Sequence, residues 1–209
     1  MKQFLVRTFL FLFGSFFVMT FRGQTAPSIR VLFIYGSKPK KEFSATEGNW
    51  FGGILGGHVG IETDSNAILN FGPSGKFHLI ARTRHRHSHF VLHSRDNFWN
   101  IFPHTEGPVK KLSIVIPVTV QQKRSIDSLQ QLYLMQTPYD YALVGMRCAA
   151  AAYDVLGKSG VMPRYRKGKT VFKFRYPAKL RKRLVKTALQ KGWKINREAG
   201  TVKRRWEKD

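Results

Sequence analysis

Cysteine is almost absent from this 209-residue chain, which has one, Cys148. That excludes a disulfide framework and a cysteine-built zinc site. It also leaves a single unpaired thiol, worth weighing as a reactive group. Acidic residues are scarce as well: twelve Asp and Glu stand against 36 Lys and Arg, giving a formal net charge of +24 and a pI near 10.7. Such an imbalance bounds partners rather than fold, and favours acidic ones such as nucleic acid, anionic lipid or acidic envelope polymers. From Lys158 to Asp209 there are nineteen Lys and Arg against three Asp and Glu, so the excess is concentrated in the last quarter. Internal repeats and low-complexity tracts are missing too. With 43% hydrophobic and 13% aromatic residues, the chain is not a disordered polymer. Its length suits one buried domain with extensions.

Long apolar runs are limited to one, Thr8 to Phe21, preceded by Lys2 and Arg7 and followed by Arg22-Gly23-Gln24-Thr25-Ala26. A charged start, a short apolar run and small residues after it describe a secretory signal peptide over residues 1–26. Gln24 is not the small residue usually found near a cleavage site, so an uncleaved anchor is the alternative. The run is short of the roughly 20 apolar residues of a spanning helix. Either way the expected location is outside the cytoplasm, in the periplasm or cell envelope.

Beyond the leader, Ile29–Tyr35 is a buried-strand candidate. His58–Thr63 and Ala67–Phe71 flank Asp64-Ser65-Asn66, a good hairpin turn. Phe77–Leu92 and Val109–Val120 read as further strands. Helices are expected over Ser125–Met135, capped by Ser125, over Arg147–Leu156, ended by Gly157, and over 178–191. Strands followed by helices make an α+β fold with a small antiparallel sheet. The expected division is a domain over 27–175 and a basic helical C-terminal extension over 176–209.

Chemistry is suggested by two places. A three-residue turn would pair Thr63 with Ala67 and hence Gly60 with Asn70. His58 and Asn70 then share a face as diagonal neighbours, with the bare Gly60 between them leaving room for a hydrogen bond. An amide beside an imidazole can fix its tautomer. Cys148 begins an alanine-rich helix, where unsatisfied N–H groups, the helix dipole and a neighbouring imidazolium would all lower a thiol's pKa. The Cys148 N–H is a candidate oxyanion donor, and Tyr139 and Tyr141 are two more. Against this stands the plain reading of a cysteine among alanines as an inert small hydrophobe.

The order Gly57-His58-Val59-Gly60-Ile61, then Asn70-Phe71, then Arg147-Cys148-Ala149 at a helix start resembles the circularly permuted NlpC-type papain-like fold. The lecithin retinol acyltransferase group and many bacterial envelope proteins share that fold. The likeness covers roughly Ile29 to Gly160. It implies a papain-like domain in which the Cys148 helix packs on the sheet. Cys148 would attack a carbonyl, His58 would shuttle the proton, and Asn70 would orient His58. Arg147 departs from the asparagine often found before the family's cysteine, and the third position varies among relatives. The implied activity is a cysteine hydrolase (peptidase or amidase) or acyltransferase. The first substrate expected is a peptidoglycan cell-wall peptide amide, and an acyl lipid is the alternative. A non-catalytic protein binding anionic envelope surfaces is the rival from another class.

Arg84-His85-Arg86-His87-Ser88-His89 would place three histidines on one strand face, but with alternating arginines and no nearby carboxylate a solvated basic face is the better reading, and neither metal nor cofactor is expected. The basic tail suits an anionic membrane surface or acidic polymer. Nucleic acid is not expected, since no stacking platform or groove-reading motif is evident.

Overall fold

The computed structural model describes residues 26–50, 53–84, 86–102 and 106–208. The expected leader therefore lies outside the described residues except for Ala26, and so does His85. The fold is α+β. Six strands form one antiparallel sheet: β1 (Ser28–Ile34), β3 (His58–Asp64), β4 (Ala67–Pro73), β6 (Ser88–His93), β7 (Lys111–Pro117) and β9 (Ile195–Glu198), in the order β6-β4-β3-β1-β7-β9. Two small pairs flank it. Strand β2 (Ser37–Pro39) runs antiparallel to β10 (Arg204–Trp206), and β5 (His78–Ile80) parallel to β8 (Ala142–Val144).

Strand β1 is apolar at successive positions because both its faces are buried. Val31 and Phe33 face a large core, and Leu32 and Ile34 face a smaller one with Trp50, Ile68 and Phe98. The larger core is covered by three helices: α2 (Val120–Met135), α3 (Cys148–Lys158) and α5 (Pro177–Lys191). Helix α3 is buried along all but its Asp154–Lys158 edge, and its Ala149, Ala150 and Ala151 are fully enclosed. A helix apolar on most of its faces belongs inside, and alanines let its backbone come close to the sheet. The smaller core is closed by the short α1 (Arg95–Trp99) and the segment after it.

Several boundaries differ from the sequence reading. The expected Phe77–Leu92 strand is two strands in different sheets, β5 beside β8 and β6 beside β4, with residues 81–84 and 86–87 outside both. Helix α2 begins at Val120 and is capped by Thr119: its hydroxyl accepts from Gln122 N–H at 3.1 Å, and Gln122 Oε1 accepts from Thr119 N–H at 2.9 Å. The polar first turn, Gln121–Arg124, has no apolar period to reveal it. Two helices were not expected, the short α1 and α4 (Lys167–Lys173).

Residues 176–209 do begin with a helix, but the segment then returns to the body. Strand β9 extends the main sheet beside β7, and β10 pairs with β2. Two of its arginines are buried. Arg204 Nη1 donates to Glu47 Oε2 at 2.7 Å and Arg204 Nε to Ser37 Oγ at 2.8 Å. Arg181 lies over the Tyr35 ring and donates to Glu207 Oε2 at 3.0 Å. Part of the basic excess therefore holds the C-terminus in place.

Candidate active site

The hairpin register follows the expected pairing, by a different route. Gly60 lies opposite Asn70, but the turn is the two residues Ser65-Asn66, with Asn66 at φ 64, and a bulge between Glu62 and Asp64 absorbs the extra residue. Gly60 has another reason to be glycine. A Cβ there would lie 2.5 Å from Ile68 Cγ2 and 2.7 Å from Phe98 Cε2. Side chains of the smaller core fill the space over Gly60.

Strands β3 and β4 part company beyond Gly60–Asn70, although both continue. Tyr35 N–H donates to Lys110 carbonyl, which fixes the alternation along β1: Ile34 and Leu32 bond toward β3, at His58 and Gly60. The Val59 N–H then points toward β4, where no ladder partner meets it. The N–H groups of Val59 and Ala149 and the Tyr141 hydroxyl are directed at the Cys148 sulfur. Arg147, in extended conformation, caps α3 without a side-chain hydrogen bond, so the first-turn N–H groups remain for the sulfur.

His58 and Asn70 stand on the other face of the sheet, against Phe98 and Phe102. The tautomer follows from hydrogen bonding. Asn70 Nδ2 donates to the Val91 carbonyl at 3.3 Å, which can only accept, so Oδ1 is the atom facing His58 at 3.2 Å. His58 Nε2 therefore carries the proton and donates to Asn70. Its Nδ1 is left as the free base. Asn70 Nδ2 also lies 3.2 Å from His93 Nδ1, which accepts.

The structure thus brings His58 and Asn70 together and sets Cys148 at Val59, the next residue of the same strand. No hydrogen bond joins the Cys148 sulfur to His58 among the described residues. The ionisation state also differs from the sequence expectation. Burial pushes the thiol above its ordinary value, and the Arg147 charge and the three donors only partly offset this. Burial likewise lowers His58 to about 4, despite the hydrogen bond with Asn70. At neutral pH the pair is thiol and imidazole, not thiolate and imidazolium.

A cavity of about 400 Å³ opens beside His58; Arg147 and Tyr141 line it, whereas the buried Cys148 does not. His58, Asn70, His89, His93, Tyr141 and Arg147 supply its polar lining, and Phe77, Val91, Ile101 and Phe102 its apolar walls. Of the two tyrosines, Tyr141 faces this cavity and the sulfur, while Tyr139 turns its hydroxyl to Asp154 Oδ2 at 3.3 Å, away from the site. A larger cavity of about 580 Å³, lined by Tyr139, Asp154, Lys158 and Arg164, contains neither Cys148 nor His58.

One constellation was not read from the sequence. Asp140 Oδ2 accepts from His78 Nδ1 at 2.5 Å and from Arg82 N–H at 3.0 Å, its Oδ1 accepts from His87 N–H at 3.2 Å, and the two imidazoles meet at 3.1 Å. Burial opposes ionisation of Asp140, but these donors outweigh it and hold the carboxyl below its usual range. The signal available was a lone acid within Pro138-Tyr139-Asp140-Tyr141-Ala142. A buried carboxylate needs partners, and the histidine tract supplies them. The tract is accordingly not one face of a strand: His87 precedes β6 and turns to His78, whereas His89 lines the cavity. Among the described residues no cluster of three His, Cys, Asp or Glu is arranged to hold a metal ion. No protein family, curated protein or solved structure matches this chain.

Proposed function

We propose that the chain is an exported cysteine hydrolase or acyltransferase of the permuted papain-like kind, with Cys148 as nucleophile and His58 as general base. One observation carries the reading. The Val59 N–H is directed at the Cys148 sulfur, and the preceding residue of the same strand, His58, is an imidazole whose Asn70 contact leaves Nδ1 unprotonated.

The thiol attacks the substrate carbonyl as its proton passes to His58 Nδ1, and the carbonyl oxygen takes up the charge. In this reading Tyr141 and the first N–H groups of α3 stabilise that oxygen. His58 then returns the proton to the departing amine or alcohol. Water, or a second alcohol or amine, resolves the thioester and restores the thiol. Because the resting pair is neutral and not hydrogen-bonded, sulfur and imidazole close up when substrate binds. Of the two substrate classes, wall peptide and acyl lipid, the apolar walls Phe77, Val91, Ile101 and Phe102 favour an acyl group.

The raised thiol pKa and the missing Cys148–His58 hydrogen bond favour a second reading, a binding protein that retains the fold without catalysis. No described helix is long and apolar enough to cross a membrane, so attachment to the envelope rests on the leader or the cationic surface. Incubation with an activated aryl ester, followed by intact mass measurement, separates the two. The catalytic reading requires a single acyl adduct on Cys148 that turns over, and the binding reading requires no adduct.

A further inference from the structure

Arg147 is 5% exposed and lines the same cavity, yet it has no carboxylate partner among the described residues. Its surroundings are the Tyr141 hydroxyl, the Tyr176 ring at 5.1 Å and the Cys148 sulfur. Its Nε is buried without a hydrogen-bond partner. The other buried arginines contrast with it: Arg204 and Arg181 each meet a glutamate. No Asp or Glu lines the cavity, and Arg147 is the one arginine or lysine among its described lining residues.

A buried guanidinium without a counter-ion is costly, and the cost falls when a ligand supplies the anion. Guanidinium groups match carboxylate and phosphate oxygens through paired N–H donors. Arg147 immediately precedes Cys148, so an anion held there lies only a few bonds from a carbon under attack by the sulfur. A net charge of +24 also draws anions toward the chain before they bind.

We infer that Arg147 is the anion-binding subsite of this cavity, selecting acyl substrates that carry a carboxylate or phosphate within a few bonds of the scissile carbonyl. The inference rests on the reading of Cys148 as nucleophile. It specifies a substrate class that the reaction alone leaves open.

Two alkylating agents of nearly equal size test it. In each case sulfur displaces iodide: the C–S bond forms, the C–I bond breaks and the thiol proton is lost. Iodoacetate carries a carboxylate beside the reacting carbon, and iodoacetamide is neutral. At about 0.15 M salt, where distant charges are screened, the iodoacetate-to-iodoacetamide rate ratio at Cys148 should exceed that of glutathione by about tenfold. Arg147→Gln should return it to the glutathione value and Arg147→Lys should retain most of it, with folding of each variant checked by circular dichroism. A native ratio equal to that of glutathione, or one unchanged in folded Arg147→Gln, would overturn the anion site while leaving Cys148 reactive. Failure of both reagents would instead overturn the nucleophile. The anion site would then be judged by thermal shift: octanoate must raise the native melting temperature more than octanamide does, and an equal effect rejects it. Protection of native Cys148 by lysophosphatidate, or by a short peptide with a free C-terminal carboxylate, supports the site and identifies the source of the anion. Equal protection by their neutral counterparts contradicts it.

Discussion

Asn70 Oδ1 lies 3.2 Å from His58 Nε2, and the same amide's donation to the Val91 carbonyl leaves it no other orientation. The protonated nitrogen of His58 is thereby fixed. Replacing Asn70 by Ala removes this control, and should lower turnover about tenfold to a hundredfold, as orienting partners do. Asn70→Asp should have a different signature: a carboxylate favours imidazolium, so the His58 titration followed by NMR moves up from about 4. An unmoved titration would mean that Asn70 does not control the ring.

Burial of neutral His58 couples folding to pH. Its folded pKa of about 4 lies below the ordinary histidine value of 6.5, so between these values the unfolded chain binds more protons and stability rises with pH. As pH falls from about 6.5 toward 4, the native chain should lose on the order of 3 kcal/mol through this residue. Urea melts of the native chain and His58→Gln across that window should differ in slope, with the variant flatter. Parallel profiles would contradict the assignment. The thiol acts in the opposite direction, costing stability as pH rises past about 9, the ordinary value above which burial has pushed it.

Much of this site was legible in the sequence. Counting back from the turn put Gly60 opposite Asn70, and that register survived even though the turn is one residue shorter than expected, because the bulge compensates. Cys148 at a helix start could be read from its alanines. The ionisation states could not, since helix dipole and neighbouring charge are local features whereas burial depends on the whole fold. The Asp140–His78–His87 chain was hidden for the same reason: Asp140 lies 62 residues from His78. Composition also drew the eye to a separate basic tail, because a count of Lys and Arg cannot distinguish a solvated charge from Arg204 paired with Glu47 inside the fold.

That pairing makes the tail a determinant of stability. Arg204→Ala leaves Glu47 buried without its counter-charge and should destabilise the chain by about 3–5 kcal/mol. Deleting residues 197–209 removes β10 along with the Glu207 partner of Arg181, and should lower the melting temperature sharply. A truncated chain that melts like the native one would mean that this segment is dispensable to the fold.

Gly60 tests the packing behind the site. Gly60→Val forces atoms into Ile68 and Phe98, and should cost about 1–3 kcal/mol in urea melts, as overpacking of a filled core does. An undiminished midpoint would show that the space over Gly60 is open.

Asp140 holds the backbone at Arg82 and His87 and lies next to Tyr141 in sequence. Asp140→Asn replaces one acceptor oxygen with a donor facing N–H groups, and should lower turnover while sparing most of the fold. Turnover against an aryl ester, compared with the circular dichroism spectrum, checks this. Unchanged turnover would confine the cluster to loop anchoring.

The account depends on Cys148 and His58 acting as one unit, and the acylation rate of Cys148 by an aryl ester at pH 7 measures this most directly. If His58 Nδ1 takes the thiol proton, His58→Ala should slow acylation by at least about a hundredfold, the lower end of general-base contributions, and Cys148→Ser/His58→Ala should be no slower than Cys148→Ser alone. Equal acylation rates in the native chain and folded His58→Ala would contradict the account, leaving Cys148 as a buried thiol with no base.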